Sequence, residues 1–145
     1  MKRLTILLTH LYMLAPLAAQ EGNKQNNRKQ KIFADSSLST HELIRNAKEM
    51  GKKDTSAADK IFRMAISKAI KAYDNYSAGK AYYEMGEMYF HFKNHNKSFG
   101  AYLYAKEYFV KSGSEKKIAF TNFKIGRQQY YRGNYKLASG HLSYA

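Results

Sequence analysis

From Ser56 onward the apolar residues fall in a helical rhythm. In the stretch Ser56–Tyr73, Ala58, Ile61, Phe62, Ala65, Ile66, Ala69 and Ile70 recur at i, i+3, i+4 and i+7, the spacing that gives one apolar helix face. Upstream, Ser39 with Glu42 three residues on has the form of a capping box, and Gly51 suits the end of the helix so opened. The pattern lapses at Asp74–Ser77 and resumes over Ala78–Phe92. It lapses at Lys93–Asn96 and resumes over Lys97–Lys111, breaks at Ser112–Ser114, and resumes over Glu115–Tyr131. A last break at Arg132–Asn134 leads into a sixth helix from Tyr135. Proline is absent beyond Pro16 and β-branched residues are sparse, so the sequence predicts helices throughout.

These helices pair, and the pairs repeat. Positions forty residues apart match: Gly86 with Gly126, Asn94 with Asn134, the small residues Ala58, Ser98 and Ala138, the large residues Phe62, Tyr102 and Leu142, and Ala65, Ala105 and Ala145. A small, large, small spacing of four and three thus recurs in the second helix of each pair, a face that offers hollows to a neighbour. One hairpin cannot bury such faces, so the units stack. The units are expected over 38–73, 77–113 and 114–145, the last incomplete and its final helix frayed. Gly79, Gly86, Gly100, Gly126 and Gly140 fall inside helices, where close approach of a bulky neighbour is the expected use.

The phased set resembles the tetratricopeptide repeats. It is carried by Ile125-Gly126, Gly133-Asn134-Tyr135, Ala138, Leu142 and Ala145 in the third unit. In the second it is carried by Tyr82, Met85-Gly86, Tyr89, Asn94, Ser98, Tyr102 and Ala105. The first unit keeps only its second-helix positions, with Arg45-Asn46 where a large residue and Gly belong. The period exceeds the usual repeat of about 34 residues, an excess expected in a longer second helix and joining loop. The resemblance implies an all-α fold, a right-handed superhelical array of antiparallel helical hairpins. It also implies that first helices line a concave, partner-binding surface. That surface would comprise Lys80, Tyr83, Glu87, Phe90 and His91, then Phe120, Phe123, Arg127, Tyr130 and Tyr131, a mixture of aromatic anchors and charged groups suited to protein recognition. Long-period repeats of this kind resemble the sensing regions of bacterial regulators, so a longer signalling protein is expected, with a self-contained envelope adaptor as the alternative.

The first nineteen residues have a different texture. Lys2 and Arg3 precede an apolar run from Leu4, followed by Pro16 and Ala18-Ala19, the order of a secretory signal peptide with cleavage expected after Ala19. Export to the periplasm or the extracytoplasmic side of the inner membrane follows from that reading. Residues 20–37 are polar and amide-rich and are expected to form a flexible linker. A membrane would be met only through an uncleaved signal segment or a missing C-terminal anchor.

Charge and candidate chemistry change the picture little. The formal net charge of +14 favours an acidic protein or peptide partner, although the cations are scattered. With no Cys there is no disulfide, thiol nucleophile or cysteine zinc site. Glu87, His91 and His95 would share a face of an unbroken helix and offer a metal site, but Asn94 and Asn96 mark a helix end between them. Ser139-Gly140-His141 lacks an acid partner and a nucleophile elbow. Tyr130, Tyr131, Arg127 and Arg132 mix rings with cations as nucleic-acid binders do, yet the rings sit at helix-packing spacing and an exported protein rarely meets nucleic acid. No cofactor, no metal, no nucleic acid and no catalysis by this segment are expected.

Overall fold

The computed structural model describes residues 20–143. The expected signal peptide at 1–19 and the small-residue position Ala145 lie outside the described residues, as does the side chain of Leu142. The chain divides into two compact units, Met1–Ser37 and Leu38–Ala145.

In the first unit, residues 20–34 form a helix, α1, within the stretch 20–37 that the sequence reading expected to be a flexible polar linker. Polarity argues against a packed core, not against a helix: Gln, Lys and Arg are good helix formers, and the stretch has no proline. Asp35 ends it, its carboxylate accepting from the Ser37 amide at 3.0 Å.

The second unit is all helix: α2 (Thr40–Gly51), α3 (Thr55–Lys71), α4 (Asn75–His91), α5 (His95–Lys111), α6 (Glu115–Tyr131) and α7 (Tyr135–Ser143). Successive helices pack on each other as antiparallel hairpins, and α2 also reaches α4. The capping box at the start of α2 is formed, with the Glu42 amide donating to Ser39 Oγ at 3.2 Å and the Ser39 amide donating to Glu42 Oε2 at 2.9 Å.

From α3 onward a finer beat underlies the forty-residue one. Helices start at Thr55, Asn75, His95, Glu115 and Tyr135, and each of α3 to α6 is 17 residues long. The long period is therefore shared equally between both helices, with three-residue links, and does not come from a longer second helix and joining loop. The links are alike in detail. Tyr73, Lys93, Gly113 and Gly133 occupy the left-handed region, with φ of 55°, 57°, 67° and 78°. The next amide then reaches back to an unsatisfied carbonyl: Asp74 to Ala69, Asn94 to Tyr89 and Asn134 to Gln129 at 2.9 Å, Ser114 to Phe109 at 3.0 Å. This is the Schellman arrangement that closes helix C-termini.

The closing residue also opens the next helix. The Asp74 side chain accepts from the Ser77 amide at 2.9 Å, and Asn94 from the Lys97 amide at 3.2 Å. α4 and α5 consequently begin three and two residues earlier than the sequence pattern predicts, at 75 and 95 against 78 and 97. Left-handed backbone suits Gly better than a residue with a Cβ. Lys93→Gly is expected to stabilise the protein by about 1 kcal/mol, read as a raised urea midpoint at unchanged slope. A lowered midpoint would mean that the Lys93 side chain contributes more than its backbone strain removes.

The core follows the small, large, small set. Ala58, Phe62, Ala65, Ser98, Tyr102 and Ala105 are fully buried, Ala138 nearly so, and Gly86 and Gly126 are buried on α4 and α6. Tyr102 of α5 lies on Gly86 so closely that a Cβ there would sit 2.7 Å from the ring, and Phe109 stands 2.8 Å from the equivalent point on Gly79. Ser98 Oγ donates to the Gly86 carbonyl at 2.9 Å, tying the same two helices. Gly100 and Gly140 differ from the expectation of close approach: a Cβ at either would meet nothing within 4 Å.

Candidate functional site

The ten side chains expected on the concave surface lie on corresponding stripes of α4 and α6, and the two stripes have different fates. On α4, Lys80, Tyr83, Glu87 and Phe90 are half-buried and only His91 is exposed. What half-buries the central three includes α6. Glu87 Oε1 stands 2.7 Å from Lys124 Nζ. The Lys124 ammonium also lies 5.8 Å from the Tyr83 ring centre. The Arg127 guanidinium stacks over Phe90 at 3.9 Å, and Tyr131 packs on Phe90 at 5.7 Å.

Glu87 is also tied to the second helix of its own hairpin, where the Tyr102 hydroxyl donates to it. Burial, and then the hydrogen bond to and charge of Glu87, push the Tyr102 phenol well above its ordinary pKa. Burial, with the carboxylates of Glu87 and Glu84 behind it, pushes Tyr83 up to about 12. Both phenols are therefore neutral at ordinary pH. Glu87 is a connector between α4, α5 and α6 and has little capacity left for a partner. One helix earlier, Lys48 and Glu84 make the comparable link between α2 and α4 at 2.9 Å.

The three residues that would share a face of an unbroken helix are separated by the turn. His95 opens α5, places Nδ1 3.0 Å from Gln128 Oε1 and stacks on Tyr131 at 5.0 Å. His91 stays at the end of α4, edge-on to Phe92. Among the described residues no cluster of three or more His, Asp or Glu side chains is placed to hold a metal ion.

The α6 stripe is the forty-residue image of the α4 stripe and is open. Phe120, Phe123, Tyr130 and Tyr131 are 52%, 44%, 58% and 54% exposed, against the half-buried Lys80, Tyr83 and Phe90 at corresponding places. Arg127 corresponds to Glu87, inverting the charge at the centre. Beyond Glu115 the sequence holds Lys116, Lys117, Lys124, Arg127, Arg132 and Lys136 and no acid. Of these, Lys124 is neutralised by Glu87, and Arg132 lies over the Phe99 ring at 4.5 Å. Arg127 has no ion pair among the described residues, and its Nε finds no acceptor. The stripe can bury rings and engage carboxylates.

Sequence reasoning missed Lys124, whose pairing to Glu87 spans 37 positions and carries no local signal. It also missed the tyrosine stack in which Tyr82 lies between Tyr104 at 5.1 Å and Tyr108 at 5.7 Å. The spacing of four between Tyr104 and Tyr108 was visible, but not which face α5 would meet. Among the described residues no helix is long and apolar enough to cross a membrane. No protein-family model, curated protein or solved structure matches the chain.

Proposed function

We propose that the chain is a protein-interaction module, a tetratricopeptide-like scaffold or sensing segment whose α6 stripe docks an acidic helix. One observation carries this reading. The α6 stripe of Phe120, Phe123, Arg127, Tyr130 and Tyr131 repeats a stripe of which Tyr83, Glu87 and Phe90, on α4, are half-buried in contact with α6, yet its own four rings are exposed. Contiguous aromatic surface with an unpaired Arg at its centre is the composition of interface anchors. Charge inversion from Glu87 to Arg127 supports an acidic helix, since Lys124 meets Glu87 at the covered position. The apolar run after Lys2 and Arg3 supports an exported protein working on the extracytoplasmic side, as part of a longer sensor or as an adaptor.

The test places a photo-crosslinking phenylalanine at Phe123 in the full chain, expressed in its native host, with the exposed Val110 as a control site. A discrete protein adduct at Phe123 and none at Val110 is expected. The paired change Phe123→Ser and Tyr130→Ser should abolish the complex while the helical circular-dichroism signal is retained, because neither ring belongs to the buried core. Equal, diffuse labelling at both sites would contradict the reading.

A further inference from the structure

Away from the α6 stripe, a groove of about 650 Å³ runs between the second helices α3 and α5, with α4 beneath. That volume falls in the range of ligand sites. Its base is aromatic: Tyr89 is buried, its hydroxyl donating to Asp59, and Tyr82 is held in the tyrosine stack beside the exposed Tyr104. Its rim is cationic, with Arg63, Lys71 and Lys97, and no carboxylate lines it. Arg63 is answered by Asp59 at 2.8 Å. Lys71 and Lys97 have no carboxylate among the described residues, and Lys97 rests 5.3 Å from the Tyr89 ring centre.

The wall of the groove includes Gly100, in the interior of α5. Glycine there weakens the helix relative to alanine, and packing within the chain does not require it, since a Cβ would meet nothing within 4 Å. Gly79 and Gly86, by contrast, are required by the rings of Phe109 and Tyr102. The bare position is repeated: Gly140, forty residues on, lines a second groove of about 640 Å³ between α5 and α7, also without a lining carboxylate. There Asn122 stands in place of Tyr82 and Leu137 in place of Lys97, so the aromatic base and this cation belong to the first groove alone.

We infer that the groove between α3 and α5 binds a short acidic peptide segment of a partner, its carboxylates on Lys71 and Lys97 and an apolar or aromatic side chain on Tyr82, Tyr89 and Tyr104, with Gly100 leaving room against α5. Charge selects this occupant. A second copy of the chain carries the same net charge of +14 and is repelled. The site is separate from the α6 stripe, so either can fail alone.

The probe is a fluorescein-labelled peptide of alternating Glu and Phe, titrated with the full chain and followed by anisotropy. Saturable binding that weakens with salt is expected. The double change Lys71→Glu and Lys97→Glu should weaken it by about tenfold or more. Gly100→Leu should abolish binding without lowering the melting temperature, because leucine is the better helix former and fills only the groove. The Phe123→Ser, Tyr130→Ser protein should bind the peptide as the parent does, whatever becomes of the α6 partner. Absence of saturable binding to the parent protein, or undiminished binding by Gly100→Leu, overturns the inference. So does displacement of the peptide by a single-stranded oligonucleotide at equal charge, or a dimer that Gly100→Leu dissociates.

Discussion

Gly86→Val is expected to destabilise the protein by about 3 kcal/mol, a large share of what holds a domain of this size together. Valine adds branched bulk where a lone Cβ would already sit 2.7 Å from the Tyr102 ring, and the ring is fully buried. Overpacking of this kind forces α4 and α5 apart, which also lengthens the 2.9 Å bond from Ser98 to the Gly86 carbonyl. The β-branched residue loses χ1 freedom in a helix as well. Urea denaturation followed by circular dichroism reads the effect as a lowered midpoint. A change of under about 1 kcal/mol would mean that the two helices are not in contact at Gly86.

Glu87→Ala is the second large effect, expected at about 3 kcal/mol although the side chain is only half-buried. Its carboxylate accepts from Tyr102 and pairs with Lys124, whose side chain is only 17% exposed. Removing it leaves a buried hydroxyl without an acceptor and a largely covered ammonium without its counter-charge. Tyr102→Phe deletes only the hydroxyl and should cost about 1 kcal/mol. The ordering of these two variants, by denaturant midpoint, distinguishes a connector from a surface charge. If Glu87→Ala costs less than Tyr102→Phe, Glu87 is a solvent-facing group and is free for a partner after all.

The helices and their hairpin pairing were legible because apolar spacing and turn residues agree. α6 begins at Glu115 and ends at Tyr131 as the pattern requires, since Gly113 and Gly133 mark the left-handed turns on either side. At Tyr73 and Lys93 the same backbone is held without glycine, so the breaks at Asp74–Ser77 and Lys93–Asn96 were legible but their bounds were not, and Asp74 and Asn94 were read as loop when they close one helix and open the next. The helix over residues 20–34 was not legible, because polar side chains can form a helix without any apolar rhythm to read. The candidate surface was only half legible. The repeat resemblance put Tyr83, Glu87 and Phe90 on one face and Phe123, Arg127 and Tyr130 on its image, but did not say which face a neighbour covers. That depends on Lys124 and Arg127 reaching back to α4, contacts between residues nearly two helices apart. Glycines looked equivalent in sequence, and only the rings opposite Gly79 and Gly86, and the empty space at Gly100 and Gly140, separate packing positions from groove positions.

The central claim is that the chain is a stacked helical array in which Gly86 on the first helix of a hairpin receives the Tyr102 ring of the second. A double-mutant cycle across Gly86 and Tyr102 tests it most directly, using Gly86→Val, Tyr102→Ala and the combined protein in urea denaturation. If the ring fills the space above Gly86, shortening it removes the clash, and the combined protein should be more stable than the sum of the single effects by about 2 kcal/mol. Strict additivity, with no coupling beyond about 0.5 kcal/mol, would show that the two positions do not meet and would contradict the account.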